Sequence, residues 1–427
     1  MKVKFHIVYF VGLVVLCNVS IGFAQDTTGT AKIMRSISNP LQMKNGKLVK
    51  SKKDWYKKRR PELLDFFTSE VYGQLPDRPK KMTFKVTDED TSAFDGLATR
   101  KQIAVLFEGK EDGQKMSVLM YTPNAIKMSV PLFLGLNFHG NQAIIFDENI
   151  EITTDWVKNK TTGVIDNKAT EATRGIAANQ WPLEMILKKG YGIATIYAGD
   201  IAPDFKEGYK TGIQTLFPEL SNRPDNLSTM GAWSWGLSRA LDYFETDKDI
   251  DSEKVVVFGT SRLGKGALWA GATDDRFAMV ISNESGAGGA KLYHHVYQED
   301  IAQICRVFPY WFSNNYQKFS KKDANLPFDQ HLMMSLIAPR PLLIASAKEA
   351  YVCDPYGEFL GALAVSPVYE FLGKESLPVQ SLPSVNKPAF GTLGYYMRSG
   401  KHDIVLYDWK RFIDFADLHF KKGGFKS

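Results

Sequence analysis

Ser261 lies in the run Gly259-Thr260-Ser261-Arg262-Leu263-Gly264-Lys265-Gly266-Ala267, directly after the apolar stretch 255–258 and before Leu268-Trp269-Ala270. A serine on a tight strand-to-helix turn holds its hydroxyl in the open, and small neighbours let the backbone turn sharply. The chemistry such a placement serves is nucleophilic attack on a carbonyl carbon. The usual G-x-S-x-G spacing fails at its last place: Leu263 stands two residues after the serine and the glycine arrives at Gly264. A glycine-rich turn with Ser261 as a helix N-cap is the structural alternative. A phosphate loop is disfavoured, because Gly266 follows Lys265 where Ser or Thr is required.

A serine nucleophile needs an imidazole base, and the chain order expected on a wound sheet is serine, acid, histidine. His402 lies in Arg398-Ser399-Gly400-Lys401-His402-Asp403, a small-residue loop before a final helix starting near Asp408. Order and loop placement favour it over His139, His294, His295 and His419, while His331 reads as a packing histidine. For the acid there are two strand ends. Glu284 follows the stretch 277–282, and Glu349 or Asp354 follows 341–345. The acid has to fix the imidazole tautomer and stabilise the imidazolium, which demands reach rather than one sequence position. Arg262 can aim a backbone N–H and a guanidinium at an oxyanion, or form only a surface ion pair.

The elements that must carry these residues follow from periodicity. Residues 82–86 and 117–121 are β-rich and separated by polar turns, which suggests an antiparallel lead-in. Short buried strands then alternate with helices: strand 131–138, helix 183–188, strand 192–197, helix 231–245, strand 255–258, and further strands at 277–282 and 341–345. That alternation indicates a parallel, wound sheet, so the fold class is α/β, a three-layer α-β-α sandwich. Insertions at about 140–180, which is polar, and 290–330, which is aromatic-rich, are natural walls for a site. No composition break resembles a linker, so residues 25–427 read as one domain. Lys57-Lys58-Arg59-Arg60 before Pro61 reads as a solvated helix face rather than a nucleic-acid arm.

Lys2 and Lys4 precede the apolar run 7–16, and Gly22-Phe23-Ala24 supplies small residues at the positions a signal peptidase reads. A secretory signal over 1–24 is therefore expected, giving a secreted or periplasmic protein; the run is short for a membrane span. The 427 residues carry 53 Lys and Arg against 47 Asp and Glu, a formal +6 that falls to +4 without Lys2 and Lys4. Such an excess is too weak to imply nucleic acid. Cys305 and Cys353 remain as either a disulfide or two thiols, and two cysteines cannot close a structural zinc site. No cofactor and no metal are expected, since a preorganised oxyanion site suffices for serine attack on a carbonyl carbon. A monomer is expected, and the surface charge is too balanced to name a protein partner.

With these residues in view, the chain resembles the glucuronoyl esterases, carbohydrate esterase family 15, in their bacterial branch. Gly259-x-Ser261-Arg262-x-Gly264-Lys265-x-Ala267 matches that family's G-x-S-R-x-G-K-x-A and accounts for the late glycine. Further resemblance runs through Phe133-Leu134-Gly135-Leu136-Asn137-Phe138, Asp329-Gln330-His331, Ile337-Ala338-Pro339-Arg340-Pro341 and Asp354-Pro355-Tyr356-Gly357-Glu358-Phe359. The resemblance implies an α/β-hydrolase fold, with Ser261 as nucleophile, His402 as base, Glu284 as acid and Arg262 at the oxyanion. It implies that Lys265 and Glu299 hold sugar hydroxyls. Some bacterial members use an aspartate four residues before the Asp-Pro pair; Ala350 stands there, which favours Glu284 over Asp354. A tryptophan common two residues before that pair is Val352 here, and the cysteine before the serine in fungal members is Thr260. The implied substrate is the ester between (4-O-methyl-)glucuronoyl groups of glucuronoxylan and lignin alcohols. An acetyl xylan esterase or an inactive polysaccharide-binding relative is the alternative.

Overall fold

The computed structural model describes residues 27–421, so the expected signal over 1–24 lies outside the described residues. The lead-in is antiparallel, as the sequence suggests: β1 (Thr83–Ala93), β2 (Ala98–Leu106) and β3 (Lys115–Pro123). Next comes β4 (Val130–Asn137), then a separate small hairpin of β5 (Val164–Ile165) and β6 (Lys168–Ala169) inside the polar insertion. The chain continues through β7 (Gly192–Tyr197), β8 (Ile250–Thr260), β9 (Met279–Asn283), β10 (Leu342–Ala347), β11 (Ala389–Phe390) and β12 (Leu393–Arg398). Ten of these form one sheet in the order β1, β2, β3, β7, β4, β8, β9, β10, β12, β11. The six strands from β7 to β12 in that order run parallel.

Helices cover both faces, which is why the central strands read as continuous apolar runs. In β8, Val255 and Val257 enter one core and Val256 and Phe258 the other, following the two-residue side-chain alternation of a strand. The first core holds the helices Thr229–Phe244, Arg262–Thr273 and Pro355–Phe371. The second holds Leu183–Lys188 and the last helix, Leu406–Phe420. Residues 52–72 form a helical segment behind the first core, where Tyr72 stacks on Trp269 at 4.3 Å. Only part of the basic run on that segment is a solvated face. Lys57 and Lys58 are exposed, but Arg59 is buried on the Pro40 carbonyl (3.0 Å) and Glu62 (2.7 Å), and Arg60 reaches Asp275 (2.7 Å). The difference is chemical: a guanidinium can satisfy several acceptors at once while buried.

Register aligns the ends of the parallel strands. Thr260 of β8 pairs with Asn283 of β9, which pairs with Ala345 of β10. Ala347 of β10 in turn pairs with Arg398 of β12. The residues just beyond these ends therefore share one edge, the carboxyl edge where wound sheets place ligands. Cys305 and Cys353 are both free thiols. Among the described residues no helix is long and apolar enough to cross a membrane.

Candidate active site

Ser261 is the residue between β8 and the helix Arg262–Thr273, with φ 58° and ψ −131°. A β-carbon at positive φ costs about 1–3 kcal/mol, so the surroundings must hold the turn. They do so by donating the Ser261 N–H to the Asn283 carbonyl (2.9 Å) and by returning Gly264 N–H to the Ser261 carbonyl (2.9 Å). A β-carbon on Gly259 would stand 2.3 Å from the Leu263 carbonyl oxygen, so the strand passes the helix too closely for any side chain there. Ser261 makes no side-chain cap to its helix, which sets aside the N-cap alternative.

Glu284 directly follows β9, also at positive φ (49°), and its side chain is fully buried. His402 donates Nδ1–H to Glu284 Oε2 at 2.7 Å, and Arg398 Nη2 donates to Oε1 at 2.6 Å. Burial pushes the Glu284 carboxyl up, opposed by the hydrogen bond from His402 and the charge of Arg398. Arg398, 3% exposed, also holds Asp408 (2.8 Å) and the carbonyls of Ser399, Lys401 and Asp403. One guanidinium thus fixes both Glu284 and the loop that carries His402. Neither alternative acid reaches the imidazole. Glu349 is exposed, while Asp354 caps the helix Pro355–Phe371 through Gly357 N–H (3.0 Å) and accepts His295 Nδ1–H (2.6 Å).

Ser261 and His402 line one cleft of about 310 Å³ together with Arg262, Phe138, His139 and Trp156. Arg262 is the first residue of its helix, so its backbone N–H has no carbonyl one turn back. Its Nη1 donates to Asp204, and its guanidinium lies over the rings of Trp311 (5.2 Å), Phe138 (5.7 Å) and Phe308 (5.8 Å). Asp204 is itself fixed by Trp311 Nε1–H at 2.8 Å. The Arg262 Nε is buried with no partner among the described residues. The arginine therefore does form an ion pair, but inside the cleft, where it orients the guanidinium.

Lys265 is buried, and its three N–H donors go to the carbonyls of Ser285 (2.9 Å) and Ala287 (2.6 Å) and to Glu299 Oε2 (3.3 Å). Among the described residues only Oε2 of the Glu299 carboxylate takes a hydrogen bond. The remaining histidines are occupied elsewhere: His294 on Asp329 (2.7 Å), His331 on the Ser38 carbonyl (2.7 Å) and His419 on the Gly391 carbonyl (3.1 Å). His139 is different, since it lines the cleft with Nδ1 unpartnered among the described residues, and burial with the nearby Arg262 charge lowers its pKa. Sequence reasoning also missed Arg398, Asp204 and Trp156. Only Arg398 carries a signal, as a charged residue closing an otherwise apolar strand.

The family model for fungal glucuronyl esterases matches residues 141–373. The carbohydrate esterase MZ0003 of an unknown prokaryotic organism is 45% identical over 407 residues, 94% of this chain and 93% of that one. A 4-O-methyl-glucuronoyl methylesterase of Wolfiporia cocos is 29% identical over 71% of this chain and 74% of its own. Among solved structures, a glucuronoyl esterase from Solibacter usitatus superposes with a TM-score of 0.85 at 40% identity, covering 90% of this chain and 98% of that one. With this likeness spanning nearly its whole length, the chain belongs to the glucuronoyl esterases of carbohydrate esterase family 15.

Proposed function

We propose that this chain hydrolyses the ester between a (4-O-methyl-)glucuronoyl group and an alcohol through an acyl-enzyme, with Ser261, His402, Glu284 and Arg262 as the reacting set. The observation that carries the reading is the Glu284–His402 hydrogen bond (2.7 Å) at the cleft that Ser261 also lines. No hydrogen bond joins Ser261 to His402 in this structure, and such contacts commonly tighten only when substrate arrives.

With Nδ1–H committed to Glu284, His402 presents Nε2 as the base. Nε2 takes the Ser261 proton as Oγ attacks the carboxyl carbon, and returns it to the departing alcohol. Water, deprotonated in the same way, then releases the uronate. The Arg262 backbone N–H and unpartnered Nε–H are the donors for the developing oxyanion; one such donor is worth about 2.7–4 kcal/mol. On the acid side, Glu299 Oε1 would accept a sugar hydroxyl while Lys265 fixes the other oxygen. Lys265 would have to release a carbonyl to hold a hydroxyl itself. Lignin alcohols and glucuronoxylan are the two sides of the ester in this reading, and residues 1–24 direct the chain out of the cytoplasm.

Hydrolysis of benzyl glucuronate by the wild type and by Ser261→Ala tests the proposal. Turnover by the wild type and a loss of about 10⁴-fold or more in the variant is expected. Equal rates would remove Ser261 from the mechanism, and faster cleavage of acetyl esters than of glucuronate esters would reassign the substrate.

A further inference from the structure

His139 lines the catalytic cleft with Ser261, Arg262 and His402, yet the acyl-enzyme chemistry of those three makes no use of it. It sits on the loop that follows β4. That strand pairs with β8 through Gly135 and Phe258, so the loops that carry His139 and Arg262 leave the sheet side by side. On a wound hydrolase sheet the first of these loops commonly gives a backbone N–H to the oxyanion, beside the N–H that follows the nucleophile. Here its backbone donors are committed elsewhere. The N–H groups of His139 (3.3 Å) and Gly140 (2.9 Å) both go to Asn137 Oδ1. Asn137 is buried and held in turn, because its Nδ2 donates to Asn141 Oδ1 (2.8 Å) and Thr195 Oγ1 (3.1 Å). A donor from His139 to the cleft has to come from its side chain.

Neither ring nitrogen of His139 has a hydrogen-bond partner among the described residues, and of the two only Nδ1 is sealed from solvent. Nε2 is the one that an entering group can reach. Burial and the nearby Arg262 charge lower the imidazole pKa, so near neutral pH the ring is uncharged and carries a single N–H. A proton on Nδ1 would make a buried N–H with nothing to accept it, which is the rarer state; a proton on Nε2 leaves only a lone pair unmet. The reachable nitrogen is therefore the donor. No carboxylate holds this ring as Glu284 holds His402, so the arrangement does not serve a second base. An uncharged imidazole can instead polarise a carbonyl oxygen through its N–H. Gln142 Nε2 donates to the His139 carbonyl at 3.0 Å and so fixes the residue in its loop.

We propose that His139 donates its Nε2–H to the oxyanion formed when Ser261 Oγ attacks the ester, as a further donor beside those of Arg262. The proposal rests on the esterase reading, and one set of enzymes separates the two. On benzyl glucuronate, His139→Ala and His139→Leu should each lower kcat about 10²-fold while KM changes less than about threefold. Leucine fills the volume that alanine empties, so a melting temperature lowered in only one of them does not decide the result. His139→Gln, whose carboxamide carries an N–H near the place of Nε2, should bring kcat back to within about tenfold of wild type. Unchanged kcat in the Ala and Leu enzymes, a loss carried by KM instead, or a Gln enzyme as slow as the Ala enzyme overturns the proposal. An active wild type beside unimpaired variants removes His139 alone, whereas a wild type without turnover removes the esterase reading and this proposal with it.

Discussion

Glu284→Gln changes one oxygen of the buried acid to a nitrogen and leaves its shape intact. The two sides of that carboxylate are not equivalent. Arg398 Nη2 lies 2.6 Å from Oε1 and can only donate, so the carboxamide has to turn its oxygen toward Arg398. Its NH₂ then faces His402 Nδ1, which sits 2.7 Å from the other oxygen in the wild type. Nδ1 is forced to accept, the imidazole proton moves to Nε2, and the nitrogen aimed at the cleft is no longer a base. The anion that stabilises the imidazolium is lost as well. In the well-studied serine-protease triad the same acid-to-amide change costs about 10⁴ in kcat, equivalent to about 5 kcal/mol. A similar loss in kcat on benzyl glucuronate is expected here. Arg398 keeps Asp408 at 2.8 Å and three carbonyls, and the variant no longer buries a carboxylate, so the melting temperature should move by only a few degrees. Glu349→Gln, on an exposed side chain, should leave kcat unchanged. A Glu284→Gln enzyme that folds and loses less than about tenfold would refute the tautomer argument and return the acid's role to another carboxylate.

Arg262→Lys keeps a positive charge but removes the Nε–H and the planar group stacked over Trp311, so kcat should fall about 10²–10³-fold with a smaller change in KM. Burial moves Glu358 from the ordinary 4.5 up to about 8, where it accepts from Gly286 N–H (2.9 Å) and Ser346 Oγ–H (2.6 Å). The folded chain then keeps a proton that the unfolded chain releases between those values. Stability from this group is therefore full below about pH 4.5 and is lost as pH rises toward about 8, by about 5 kcal/mol at most. Urea unfolding at both ends of that window should show the fall in the wild type and a flatter profile in Glu358→Gln. Leu263→Gly restores the common G-x-S-x-G spacing yet should destabilise the fold by about 3 kcal/mol or more in the same unfolding assay, because Leu263 is buried in the core.

Ser261, Glu284 and His402 were legible because each stands just past a segment whose own pattern marks it as a strand or a closing loop. A parallel sheet brings all such ends to one edge without further information. Their supports carry no local mark. Arg398 meets Glu284 across 114 residues and Asp204 meets Arg262 across 58, so these pairs exist only once the sheet has closed. Asp204 and Trp156 lie in or beside irregular segments, where neither a helical nor a strand period distinguishes a cleft residue from any other. Lys265 shows the opposite failing. Its place in the motif marks it as important, but only the structure shows that its donors are spent on Ser285, Ala287 and Glu299.

The late glycine joins these levels. A glycine is required where the helix crosses its strand most closely, and here a β-carbon at Gly264 would come to 2.9 Å from the Gly259 carbonyl oxygen and 3.1 Å from Ser285 Cβ. Ser285 is the residue after the acid, and Asn283, whose carbonyl holds the Ser261 N–H, is the residue before it. Position 264 therefore touches the acid's loop as well as the strand, while position 263 turns inward and can afford a leucine. A side chain at 264 would push the serine's turn away from Glu284 and loosen the register between nucleophile and acid. The sequence departure that weakened the generic motif is thus the contact that couples two of the three residues the proposed chemistry needs.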